Sequence, residues 1–159
     1  MARQGLRIYH RHLPHWRLPT ATYHVTWSLQ RHQDDLSAPE RSLVVSAMKR
    51  FETEHYDLYA FCVMNDHVHG LVAPRPGFEL ETILRSWKSY SANRMQRNFG
   101  RKGAVWLEEY FDRIVRNRLD YETKVKYILE NPLKRWPGIS TYRWCGLGRA
   151  GTLEIQFVS

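Results

Sequence analysis

Two apolar runs, residues 57–63 (Asp-Leu-Tyr-Ala-Phe-Cys-Val) and 67–72 (His-Val-His-Gly-Leu-Val), stand three residues apart. Each is too short for a stable helix and rich in β-branched or aromatic residues, so each reads as a strand. Asn65-Asp66 between them is a turn pair, because both side chains hydrogen-bond readily to nearby backbone. The segment therefore predicts a β-hairpin, and this hairpin limits the chain to folds built around an antiparallel sheet.

The rest of the pattern is consistent with that. Residues 23–29 read as an earlier strand. Ser37-Ala38-Pro39-Glu40 is a helix start, with Ser at the N-cap, Pro in the first turn and Glu three residues on. Leu43, Val44, Ala47, Met48 and Phe51 follow at helical spacing. A second helix is expected over 79–98, with Leu80, Ile83, Leu84, Trp87 and Ser91 inward and Gly100 and Gly103 ending it. Residues 111–115 read as a fourth strand. Asp120 is the expected cap of a third helix, which Pro132 should stop. Residues 153–158 read as an edge strand. The order strand, helix, strand, strand, helix, strand, helix implies an α+β, ferredoxin-like (RRM-like) fold, an antiparallel sheet with helices on one face.

At 159 residues the chain is long enough for one domain and one core. It divides into a basic arm (1–22), a folded region (23–136) and a weakly patterned tail (137–159). No apolar run approaches the ~20 residues needed to span a bilayer. The N-terminus carries no apolar signal core, and Cys62 and Cys145 lack ligand spacing, so the expectation is a cytoplasmic protein with reduced thiols. Lys and Arg outnumber Asp and Glu by 24 to 16, a net charge of +8, with six Trp and nine Tyr. Interleaved cations and aromatics suit unpaired nucleic acid, which offers both phosphates and stacking faces. A solvated basic surface around an aromatic core has the same composition. The densest cationic cluster is Arg85, Lys88, Arg94, Arg97, Arg101 and Lys102, and Arg11 and Arg17 lie in the arm. These are the expected phosphate contacts. Trp16, Trp106, Trp136 and Trp144 are candidate stacking platforms or core residues.

Side chains two apart in a strand project to one face, so His67 and His69 can share one metal ion. Paired strand histidines also occur as hydrogen-bonded structural residues. On the third helix, Tyr121, Val125, Ile128 and Leu129 make an apolar stripe, and Tyr127 falls about 120° from its centre. Asn131, one turn further on, shares Tyr127's direction. A metal ion and a phenol together permit phosphoryl transfer through a covalent tyrosine link.

Met64-Asn65-Asp66-His67-Val68-His69-Gly70-Leu71-Val72 resembles the segment carrying the HUH motif in REP-associated tyrosine transposases and their insertion-sequence relatives. Tyr23-His24-Val25-Thr26, Trp87-Lys88-Ser89-Tyr90, Trp106-Leu107-Glu108-Glu109-Tyr110-Phe111-Asp112 and Tyr127-Ile128-Leu129-Glu130-Asn131-Pro132-Leu133-Lys134 resemble further signatures of that family, in order. The resemblance implies an HUH motif on a central strand, Tyr127 as nucleophile and His67, His69 and Asn131 as ligands of Mg or Mn. It also implies single-stranded hairpin DNA as substrate, a bacterial source, and action as a monomer or homodimer. A non-cleaving DNA-binding descendant of the same fold is the alternative. An RNA-binding ferredoxin-like domain is disfavoured, since no strand carries its aromatic signature. Three positions depart from the family pattern. Asn65-Asp66 replaces Pro-Asn, so Asp66 either adds a ligand or caps the turn. Gly70 replaces a bulky residue, which leaves space or strand flexibility near the site, and Arg113 replaces His.

Overall fold

The structure, a computed structural model, describes residues 21–152 and the backbone of residues 6 and 7. Arg11, Arg17, Trp16 and the edge strand expected at 153–158 lie outside the described residues.

The hairpin forms as its sequence requires. Strand β3 (Tyr56–Val63) pairs antiparallel with β4 (His67–Pro74), and Val63 faces Val68 across the ladder. The Met64 N–H donates to the His67 carbonyl at 2.8 Å, closing a turn with Asn65 and Asp66 at its centre. Strand β2 (Tyr23–Ser28) lies along the other side of β4. The short strands β1 (Leu6–Arg7), β5 (Phe111–Ile114) and β6 (Cys145–Leu147) complete a six-stranded antiparallel sheet in the order β1-β5-β2-β4-β3-β6. The motif strand β4 is thus interior. β6, which the tail's weak pattern did not announce, pairs with β3.

Helix α1 (Ala38–Lys49) starts at the predicted Ser37 capping box, with Ser37 and Glu40 exchanging side chain-to-backbone hydrogen bonds. Such a cap typically contributes about 1 kcal/mol. Helix α2 (Leu80–Asn98) ends at Gly100, whose φ of 72° is the left-handed geometry a side chain would resist. Both helices cover one face of the sheet, where Val44 and Met48 of α1 and Leu84 and Trp87 of α2 meet Val25, Trp27, Val68 and Val72. The Trp87 indole donates to the Tyr56 hydroxyl at 3.0 Å, and the Trp106 indole to Ser91 at 3.0 Å, so Trp106 belongs to the core.

The third helix, α3 (Arg118–Arg135), lies on the opposite face, packing Tyr121 and Ile128 against Ala60, Cys62, Leu71 and Ala73. The sheet therefore carries helices on both faces rather than one. A bulge in β3 between Leu58 and Ala60 lets Leu58 and Phe61 share the α1–α2 face while Ala60 and Cys62 take the other. Both expected ends of α3 need correction. The cap is Asn117, whose side chain accepts from the Asp120 N–H at 2.8 Å, and Asp120 sits inside the first turn. Pro132 does not stop the helix, which runs on to Arg135. Proline removes the N–H that would have bonded the Ile128 carbonyl. The Cys145 thiol approaches that carbonyl at 3.5 Å and partly replaces the lost donor.

Gly70 also differs from expectation. A Cβ there would stand 3.0 Å from Met48 Cε and 3.7 Å from the Trp87 ring. It faces the α1–α2 core, away from His67 and His69, so its small size serves helix–sheet packing and opens no space beside the histidines. Among the described residues no helix is long and apolar enough to cross a membrane.

Candidate active site

Strand alternation decides which groups meet on the α3 face. In β4, Val68, Gly70 and Val72 point to α1 and α2, so His67 and His69 point to α3. In β2, Val25 and Trp27 are core residues on the first face, which puts His24 and Thr26 on the second. The register sets Thr26 opposite His69 and His24 opposite Leu71. On β5, Arg113 is opposite His24 and Phe111 opposite Thr26.

The two predicted histidines are close, with ring centroids 4.9 Å apart. His67 Nδ1 lies 2.9 Å from an Asp66 carboxylate oxygen. His69 is buried, and its Nδ1 lies 3.1 Å from His24 Nε2 and 3.2 Å from Thr26 Oγ1. Its other nitrogen, Nε2, is buried with no hydrogen-bond partner. Burial, then the nearby Lys124 and Arg113 cations, pushes the His24 imidazole down to about 4. Burial, then the neighbouring His24 and His67, takes His69 to about 2. Both rings are therefore neutral at pH 7, the form with a lone pair to give.

Helix α3 brings Tyr127 to this group. The Tyr127 ring lies 5.5 Å from the His69 ring and 5.9 Å from His24, and it is 43% exposed. Asn131 is buried one turn further along the same helix. The predicted off-stripe direction of Tyr127 is thus the direction of the histidines. A cleft of 520 Å³ is lined by His24, Thr26, His69, Phe111, Arg113, Thr123, Lys124 and Tyr127. Lys124 is paired with Asp120 at 2.7 Å, and Lys134 lies 5.1 Å from the Tyr127 ring centre.

Among the described residues, no group of three His, Cys, Asp or Glu side chains is placed to hold a metal. The amide oxygen of Asn131 is a further type of donor, and His69 Nε2, buried and without a hydrogen-bond partner, points toward a ligand role.

The basic cluster is elsewhere. Arg85, Lys88, Arg94 and Arg97 belong to α2, on the opposite side of the sheet from Tyr127. Lys88 donates to the Glu108 carbonyl at 2.9 Å, Arg94 lies 3.8 Å over the Tyr90 ring, and Lys102 is exposed. Arg101 departs from the set. Its guanidinium bonds Glu40 at 2.6 and 2.7 Å and the Asp34 and Asp35 carbonyls, with only 9% of the side chain exposed. Its charge is used inside the fold, to tie the loop after α2 to the start of α1.

Nothing in the local sequence pattern marks His24, Thr26, Phe111 and Arg113 as site residues. The alternation of β2 against Val25 and Trp27 shows the face of His24, but only the pairing of β2 with β4 shows that it meets His69.

With this geometry in view, comparison with known proteins identifies the class. Residues 18–131 match the family described as Transposase IS200 like, and the chain belongs to that family of DNA-cleaving enzymes. Its fold is similar to that of a REP-associated tyrosine transposase solved bound to a REP hairpin, at 20% identity and a TM-score of 0.59 over 80% of this chain and 75% of that one. It is also similar to a Deinococcus radiodurans protein assigned as a transposase, at 20% identity and a TM-score of 0.52 over 76% of this chain and 97% of that one. No curated protein matches the chain.

Proposed function

We propose that this chain cuts and rejoins single-stranded DNA at hairpin elements through a covalent 5′-phosphotyrosine on Tyr127, with a divalent metal at His67, His69 and Asn131. The observation that carries the reading is the approach of the Tyr127 ring to within 5.5 Å of His69, across one cleft and within one chain. A non-cleaving binding protein has no use for a phenol set beside the neutral imidazoles of His24 and His69.

The residues fit a metal, because His69 Nε2 is buried and without a partner. Mg or Mn, when bound, supplies Lewis acidity to a phosphate oxygen. Arg113 and Lys124 line the same cleft and position the phosphate by charge. Tyr127 Oη forms a bond to phosphorus while the bond to the 3′ oxygen breaks. The phenol loses its proton and the departing oxygen gains one, leaving a 3′-hydroxyl. The ester retains the energy of the original link, so the hydroxyl of the same or another strand can reverse the step without ATP.

The relative bound to a REP hairpin supports a hairpin substrate. Arg85, Lys88, Arg94, Arg97 and Lys102, with Arg11 and Arg17 of the arm, would hold stem phosphates away from the cleft. Neutralising any one of these cations should flatten the salt dependence of hairpin binding.

The test incubates the protein with Mn2+ and a labelled hairpin oligonucleotide bearing a single-stranded flank. A protein–DNA adduct that survives denaturation is expected, and Tyr127→Phe should abolish it. Hairpin binding without any adduct would establish the non-cleaving alternative, and an adduct in Tyr127→Phe would move the nucleophile to another tyrosine.

A further inference from the structure

We infer that His24, together with Thr26, is a positioning residue for His69: the two groups accept the Nδ1 proton of His69 and so leave its Nε2 lone pair to face the metal. The inference rests on the metal-binding role proposed above for His69 and extends it to a pair of residues behind the ligand.

A neutral imidazole carries one proton, on one nitrogen or the other. His69 Nδ1 has two polar neighbours, His24 Nε2 at 3.1 Å and Thr26 Oγ1 at 3.2 Å, whereas Nε2 is buried with none. A proton on Nε2 would strand a buried N–H donor and return nothing for its lost hydration. A proton on Nδ1 has two acceptors. That tautomer requires His24 to accept at Nε2 and to carry its own proton on Nδ1. His67 shows the same arrangement with a different partner, since the Asp66 carboxylate stands at its Nδ1. Both imidazoles are therefore held at Nδ1, and for both the remaining nitrogen is Nε2.

His24 is behind His69 and not beside it as another ligand. Its ring nitrogen meets the far edge of the His69 ring, and the three histidines do not converge on one point. The His24 ring also stands 5.9 Å from that of Tyr127, so one residue of β2 borders both the metal ligand and the nucleophile.

Three variants test this. His24→Phe keeps a ring and removes the acceptor, Thr26→Val keeps the shape and removes the hydroxyl, and His24→Gln restores an acceptor oxygen. The first readout is Mn2+ affinity of the DNA-free protein by electron paramagnetic resonance titration, with sites that survive His69→Ala subtracted. Loss of an outer partner typically weakens metal binding about 10–100-fold, which is the loss expected for His24→Phe combined with Thr26→Val. His24→Gln should recover most of it. The second readout is the nitrogen-15 side-chain spectrum of metal-free protein, in which His69 should be the Nδ1–H tautomer and should lose that preference in the double variant. A thermal melt confirms that each variant is folded. Wild-type affinity in a folded double variant, an Nε2–H tautomer in the wild type, or a wild type with no His69-dependent Mn2+ site would each overturn the inference. A protein that shows the expected tautomer and affinities yet forms no adduct would uphold it while sinking the cleavage reading.

Discussion

The Asp66 carboxylate lies 2.9 Å from Nδ1 of His67, the residue that follows it in the chain. The turn that ends β3 thus supplies the orienting partner for the first residue of β4. Asp66 is exposed, so water competes for the interaction. Asp66→Ala should weaken Mn2+ binding by less than about 10-fold, at or below the low end for outer partners. A Mn2+ titration checks this. A loss as large as that of His67→Ala would make Asp66 a direct ligand.

Because Tyr127 meets His69 of its own chain, catalysis in cis is expected. Tyr127→Phe and His69→Ala proteins should each form no adduct, and mixing them should restore none. Recovery of adduct in the mixture would show that the nucleophile is exchanged between copies.

The Glu40–Arg101 pair predicts an acid-sensitive fold. Burial alone would raise the Glu40 carboxyl, but the Arg101 guanidinium and the Ser37 groups outweigh it and hold it below the usual carboxylate range. A lowered carboxyl contributes stability that is present above its unfolded pKa and lost as pH falls through its folded one. Arg101→Met should cost about 3–5 kcal/mol at pH 7, since it leaves Glu40 buried without its partner. Urea midpoints of wild type and variant should converge as the pH falls through the lowered Glu40 value, where the carboxyl takes up a proton. Hairpin affinity in folded Arg101→Met should keep the wild-type salt slope, because this charge does not face solvent.

Phe111, half exposed in the cleft, stands beside Arg113 and opposite Thr26. An unpaired base next to the cut phosphate can stack on it. Phe111→Ala should weaken an oligonucleotide with a single-stranded flank by about 1–3 kcal/mol and leave a blunt hairpin unchanged. Equal losses for both, measured by fluorescence anisotropy, would exclude stacking.

Most of this architecture can be read locally. The apolar stripes of the helices and the shared face of His67 and His69 follow from repeats of 2 and 3.6 residues, and the hairpin turn and the Ser37 capping box from short local patterns. The end of α3 escapes a local reading, because a proline that breaks a helix on its own is tolerated when another segment, here Cys145, approaches the freed carbonyl. The side that Gly70 faces follows from its strand parity with Val68 and Val72, whereas its departure from the family pattern points the wrong way. Arg101 resembles one more surface cation in the sequence, since its partner, Glu40, is 61 residues away.

Which residues share a face within each element, and the resemblance to a family of phosphoryl-transfer chemistry, are both legible in the order of amino acids. That β2 lies beside β4, and that α3 crosses to the histidine face, becomes visible in the folded chain. Those two placements bring His24, Thr26, His69 and Tyr127 into one cleft. The difference is one of range. Side-chain direction repeats over a few bonds of backbone, whereas strand order and helix side depend on how distant segments bury their apolar faces together.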